Sequence, residues 1–300
     1  MQINKKSIAI VVSCYALWGT HAAYWNLLIN VNPMLILCCR IVFALVFTTV
    51  LLLISGRLQL LLSILRNKTM MQYTAPAAVL ISLNWGLYIW AVNAGHVLDC
   101  SLGYYMSPLI AFLLGVLIFR EKYTRLQLAA VALAFVGLLV SVITFGDIPY
   151  ISIGLASSFA AYGVMKKLAR TDPVAGIAAE TLITTPFAIA VGLIFLSDGF
   201  RTLSTSDLLL LIGGGVVTAT PLILYARSVN DIPLIIVGFF QYISPSLLLI
   251  YGLISGEMLT LAQLVSFIFI GLGLLVFSIA LVRISKTEKA ANPPPYNISG

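Results

Sequence analysis

Charge is what this sequence has least of. Only 9% of its 300 residues are Asp, Glu, Lys or Arg, against about a quarter in an ordinary soluble domain. With 61% of the residues hydrophobic, a water-soluble fold of this size could not hide its apolar surface. Histidine is almost absent, with two residues, and the four cysteines are Cys14, Cys38, Cys39 and Cys100. They stand in or beside apolar runs without metal-ligand spacing and read as small buried side chains. No Ser/His/Asp, Cys/His or metal-ligand set is recognisable, so a membrane-embedded enzyme is the weaker alternative and no metal or cofactor is expected. The lack of a Gly-rich phosphate loop disfavours ATP-driven pumping.

Long apolar runs are what the chain does have. They fall at Ser7–Ile29, Pro33–Ser55, Gln72–Asn93, Leu98–Phe119, Leu126–Phe145, Pro149–Lys167, Pro173–Ser197, Asp207–Arg227, Pro233–Ser255 and Leu261–Val282. Each is near the ~20 residues a helix needs to cross a bilayer. A closed barrel would show short alternating segments instead, so the expected fold is an all-α integral membrane protein with ten transmembrane helices. The first run follows Lys5 and Lys6 as a signal peptide would, but it is of spanning length and carries Trp18, His21 and Trp25, so it reads as the first helix.

The net charge of +7 does not point to nucleic acid, because the basic residues are confined to particular loops. On a ten-helix count, fifteen of the seventeen Lys and Arg lie on the side of the N-terminus. Arg201 alone lies opposite, and Arg40 lies inside a helix. Positive residues stay cytoplasmic, so both termini are expected inside.

The stretch Tyr105–Val140 is written twice. Tyr105, Ser107, Pro108 and Gly115 recur 137 positions later as Tyr242, Ser244, Pro245 and Gly252. Glu121, Gln127 and Gly137-Leu138-Leu139-Val140 recur 136 positions later as Glu257, Gln263 and Gly273-Leu274-Leu275-Val276. Ordered matches in two apolar hairpins indicate an internal duplication, with Gly19 and Pro33 answering to Gly163 and Pro173. Five helices per copy is odd, so the copies enter the membrane from opposite faces as two inverted five-helix repeats, residues 1–146 and 147–285. Residues 286–300, with Pro293-Pro294-Pro295, read as a disordered cytoplasmic tail. Inverted repeats place substrate near the midplane between the halves and support alternating access.

Candidate cavity residues follow from polar groups placed deep in apolar helices. Arg40 and Glu180 stand seven residues after Pro33 and Pro173. A charge at the bilayer centre costs at least ~2.5–3.5 kcal/mol, so each needs a partner or a wet cavity. Two readings stand side by side: both bind substrate, or they form an ion pair that locks the halves together. Cys14, Trp18, His21 and Trp25 follow one helical stripe, as do Asn84 and Tyr88 beside Trp85. The Tyr-x-Ser-Pro pairs, Tyr105-Ser107-Pro108 and Tyr242-Ser244-Pro245, predict breaks at matching depths in the fourth and ninth helices, with Gln241 beside the second. Tyr162 completes the expected cavity set.

The chain resembles the EamA-type carriers of the drug/metabolite transporter superfamily, in particular the RarD-like branch. The resemblance rests on Trp18-Gly19, Ala23-Tyr24, Arg40, Asn84-Trp85, Ile89-Trp90-Ala91-Val92-Asn93, Ser101-Leu102-Gly103-Tyr104, Glu121, Tyr162-Gly163, Glu180-Thr181 and Gly238-Phe239-Phe240-Gln241-Tyr242-Ile243. It implies a ten-helix inner-membrane permease with a central cavity. Cys39 and Asn26 depart from the branch, which favours histidine and lysine there, so substrate identity is not carried over. The expected function is secondary transport of a small metabolite, an amino acid or related amphipathic or zwitterionic solute, by a monomer in the lipid bilayer. The alternative is import or exchange of a larger cationic metabolite such as S-adenosylmethionine.

Overall fold

A computed structural model describes residues 5–94, 96–145, 149–195, 197–254 and 261–291. The elements are α1 (Lys5–Asn26), α2 (Pro33–Ile54), α3 (Leu58–Arg66), α4 (Lys68–Asn93), α5 (Val97–Phe119), α6 (Arg125–Phe145), α7 (Tyr150–Ala169), α8 (Pro173–Phe195), α9 (Ser197–Arg201), α10 (Thr205–Asp231), α11 (Leu234–Phe240), α12 (Ile243–Ile254) and α13 (Leu261–Ala291). The protein is an all-α integral membrane protein. Among the described residues, α2, α4, α5, α6, α8, α10 and α13 are long and apolar enough by themselves to cross a membrane. All ten expected segments fall on helices, but the ninth is divided between α11 and α12.

Local chemistry sets the helix starts. Asn32 accepts the Met34 amide at 2.9 Å ahead of Pro33, and Asp172 accepts the Val174 and Ala175 amides at 3.1 Å ahead of Pro173. The two prolines noted as equivalent therefore each follow an Asx cap, with proline at the first helical position where its missing N–H costs nothing. Ser204 and Asp207 close a capping box on α10. Two short helices are additional to the ten: α3 and α9. The first buries Leu61 and Ile64 against Ala175, Ala178 and Ala179 of α8. At the C-terminal end α13 runs to Ala291, so the expected tail is helical for its first residues, and residues 292–300 lie outside the described residues.

The proline breaks were only half right. Pro245 removes the donor that would reach the Gln241 carbonyl, which takes the Ser244 amide at 3.1 Å instead. The helix divides there. Pro108 leaves α5 continuous from Val97 to Phe119; its ridge packs on α7 and α11, and such neighbours hold a proline-bearing helix together.

Helix packing returns the same partners when the halves are exchanged. Let α1, α2, α4, α5 and α6 stand for α7, α8, α10, α11–α12 and α13. Then α5 on α7 becomes α12 on α1, α4 on α7 becomes α10 on α1, and α2 on α10 becomes α8 on α4, while α2 on α8, α6 on α13 and α5 on α11 map to themselves. The turn glutamate Glu121 holds one such junction. Its carboxylate accepts the Leu234 and Ile235 amides at 2.7 and 2.9 Å, capping α11, and pairs with Lys167 at 2.9 Å. Anions are stabilised at a helix N-terminus, and Gly115 leaves the room: a Cβ there would lie 2.9 Å from the Glu121 carboxylate. Its counterpart Glu257 lies outside the described residues.

Helices α2 and α10 approach closely enough that a Cβ built at Gly215 would overlap the backbone carbonyl of Phe43. Gly215→Ala is therefore expected to destabilise the folded protein by roughly 1–3 kcal/mol, read as a lowered unfolding temperature in detergent. Gly271→Ala meets nothing within 4 Å and should be neutral or slightly stabilising.

Candidate functional site

Three consecutive glycines let α10 approach the helices that carry the site. A Cβ on Gly213 would lie 2.7 Å from the Tyr24 hydroxyl, and one on Gly214 3.2 Å from the Trp25 ring, while Gly215 lies against Phe43. Their lack of side chains lets α1 and α2 close on α10, and Tyr24 fixes the approach by donating to the Leu210 carbonyl at 2.6 Å. One helical turn before Phe43 stands Arg40, which reaches Thr218 of α10: its Nε donates to Thr218 Oγ1 at 3.1 Å. The guanidinium carbon lies 4.9 Å from the ring centroid of Trp25 and 4.4 Å from that of Trp85, over each ring. Cation–π contacts of this kind are worth more as they are desolvated.

Arg40 and the two indoles belong to a cavity of about 440 Å³ between the two halves of the chain, within the range of small-molecule sites. It reaches the turn between α1 and α2, where Leu28, Ile29, Val31 and Pro33 line it and Ile29 is exposed. Asn84 ties α4 to α7 across it, donating to the Leu155 carbonyl at 2.8 Å and to Ser158 Oγ at 2.9 Å. Ser107 donates to Gln241 Oε1 at 3.3 Å, joining α5 to the break in the ninth segment. Ser244 donates to the Tyr15 carbonyl at 2.7 Å, joining α12 to α1.

Nine of the expected residues line this cavity: Trp18, His21, Arg40, Asn84, Trp85, Tyr88, Ser107, Gln241 and Ser244. The other four sit in the packed core and are not among its lining residues. Tyr105 and Tyr242 do meet, the Tyr242 hydroxyl donating to the Tyr105 carbonyl at 3.1 Å, but both are buried in the main hydrophobic cluster. Tyr162 stacks on Tyr225 with centroids 5.8 Å apart. Trp18 and Phe159, which line the cavity, pack against Tyr225 in turn, so an aromatic floor separates the cavity from the core beneath it. Trp25, on the stripe through Trp18, also lines the cavity, as do Tyr15, Tyr104 and Phe159, which were not expected. Tyr15 stands three before Trp18 and Tyr104 three before Ser107, so helical spacing could have found those two. Nothing in the sequence marks Phe159.

Arg40 and Glu180 do not pair. Glu180 is held by Lys166 at 2.6 Å and accepts the Tyr162 hydroxyl at 3.1 Å, with both charged side chains no more than 5% exposed. Lys166 is thus buried between helices rather than solvated in the loop to which the charge count assigned it. The chain turns at residues 170–172, starting α8 at Pro173, so a residue late in α7 and one two turns into α8 come to similar depth. Gly176 makes room: a Cβ there would lie 3.1 Å from Lys166 Nζ.

Removing one member of this pair should leave a buried charge without its partner. Lys166→Met is expected to destabilise by roughly 3–5 kcal/mol, and Lys166→Met with Glu180→Leu to recover most of the loss. Arg40→Gln and Glu180→Gln should instead be additive within about 0.5 kcal/mol. Unfolding of the detergent-solubilised variants measures both couplings, and a larger one for Arg40 with Glu180 would contradict the observed pairing.

Known proteins place this architecture. The signature of the EamA-like transporter family matches residues 5–143. An "Uncharacterized transporter" of Vibrio cholerae is 37% identical over 283 residues, covering 93% of this chain and 93% of that protein. "Uncharacterized transporter YojE" of Bacillus subtilis is 36% identical, covering 96% and 98%. "Protein RarD" of Escherichia coli is 35% identical, covering 91% and 94%. A solved crystal structure with 17% identity superposes at a TM-score of 0.73, covering 94% of this chain and 99% of its own, which shows a shared fold. With identity of this order along nearly its whole length, this chain belongs to the EamA-like transporter family, in its RarD-like branch.

Proposed function

We propose that this protein is a secondary carrier that moves a small amphipathic metabolite across the bacterial inner membrane by alternating access. The observation that carries this reading is the cavity itself: both halves contribute to its walls, it reaches one end of the bundle, and aromatic packing closes it towards the other. The names of the relatives support transport rather than enzyme chemistry.

The exchange of packing partners between the halves supports two five-helix repeats, residues 1–146 and 147–285, in inverted orientation. The concentration of Lys and Arg in alternate loops supports cytoplasmic termini. On that topology the cavity mouth at the α1–α2 turn faces the periplasm. The cytoplasmic side is then closed by the Tyr162–Tyr225 stack, the Lys166–Glu180 pair and the Glu121 cap on α11. Turning the cavity inwards would require these contacts to separate while the halves rock about the shared site.

In a protein whose four cysteines are replaced, Ser107→Cys is expected to react with a membrane-impermeant thiol reagent added from the periplasmic side, and Tyr162→Cys to stay unreactive. Reconstituted in proteoliposomes, the wild-type chain should exchange labelled solutes without changing them chemically. A Ser107→Cys protein labelled only from the cytoplasmic side would overturn the assigned orientation, and turnover of solute to a product without flux would overturn transport.

A further inference from the structure

We propose that the solute is an organic anion: a carboxylate held by the free edge of the Arg40 guanidinium, with the flat or apolar part of the molecule against the cavity aromatics, and with no ammonium group required. The proposal rests on the carrier reading above and narrows it to a substrate class.

Arginine offers five N–H donors in a planar fork. Here Nε is used by Thr218, and the Nη groups make no hydrogen bond among the described residues. Trp25 and Trp85 lie against the guanidinium as π-faces. Aromatic faces stabilise the charge without occupying the donors, which point out at the edge of the plane. A carboxylate matches that edge with two parallel hydrogen bonds, a geometry that a lysine ammonium cannot reproduce.

The rest of the lining has the opposite sign of preference to a cation site. No carboxylate is among the described residues that line the cavity, and Arg40 is the formal charge there. Glu180, the other deep charge read as a candidate for substrate, is committed to Lys166 and Tyr162 in the core. Asn84 donates both amide hydrogens to α7, and the hydroxyls of Ser107 and Ser244 also donate within the protein. A zwitterion would gain at its carboxylate and find no counter-charge for its ammonium among the described lining residues. A cation would face Arg40 directly.

Four probes with one phenyl body separate these cases: 3-phenylpropionate, 3-phenylpropionamide, 3-phenylpropylamine and phenylalanine. Binding is measured by calorimetry on the full chain in lipid nanodiscs, and flux separately in proteoliposomes. The acid is expected to bind ~10–100-fold more tightly than the amide, the value of a hydrogen bond to a charged group, and more tightly than the amine. Phenylalanine should gain nothing over the acid. Arg40→Gln should abolish the preference of acid over amide, while Arg40→Lys, which keeps the charge but not the fork, should retain only part of it. Should Arg40→Gln fail to fold, Trp85→Leu, which removes one supporting face, should still reduce acid binding several-fold relative to amide. Amine binding as tight as the acid, an acid preference that survives Arg40→Gln, or no acid binding at millimolar concentration would each overturn the proposal. Arg40-dependent acid binding without flux of any probe would leave this site standing and remove the carrier reading. Flux indifferent to charge would do the reverse.

Discussion

A full charge inside an apolar bundle must be neutralised, hydrogen-bonded or left facing water, because the alternative costs several kcal/mol. This constraint is met in two ways here. Glu180 is satisfied within the core, by an ammonium at 2.6 Å and a phenol at 3.1 Å. Arg40 is satisfied only in part, by one threonine and two indole faces, and its remaining donors open on the cavity. One charge therefore holds α7 to α8, and the other faces the cavity. The division between closed core and cavity follows from that difference.

Backbone proximity makes the arrangement feasible. Gly213, Gly214 and Gly215 bring α10 against both α1 and α2, so the Arg40 side chain can reach Thr218 while Trp25 and Trp85 cover it. Tight apposition of small residues is how helices associate where hydrophobic burial gives no net drive. The hydrogen bonds that cross between helices at the cavity serve the same end. Asn84 to α7, Ser107 to Gln241 and Ser244 to α1 each satisfy a polar group that lipid could not, and each fixes one wall against another.

The divided ninth segment gives the site its irregular element. Because Pro245 frees the Gln241 carbonyl, Gln241 is set at a turn rather than mid-helix, with its side chain toward Ser107. Irregular backbone is tolerated in a membrane where it is buried in protein or lines a cavity, and here it does the latter. The same Tyr-x-Ser-Pro motif in α5 keeps its helix. The motif thus weakens a helix without dictating a break, and the neighbours decide the outcome.

Composition and periodicity were sufficient for the class of fold, since apolar runs of spanning length have few ways of satisfying their backbone groups except as helices. The duplicated motifs, the Pro33 and Pro173 helix starts and the polar stripes through Trp18 and Asn84 were likewise legible, because they depend on spacing along one element. What spacing could not supply was partnership between elements. Whether Arg40 and Glu180 pair or bind substrate stayed open because each stands seven residues after a proline, and matching positions along two helices fix no distance between side chains. Lys166 looked like a loop residue because its depth is set by where α7 ends and how the chain turns at residues 170–172. Which of the two charges faces the cavity was decided only when the helices packed, since an ion pair forms with whatever opposite charge the tertiary fold brings within reach.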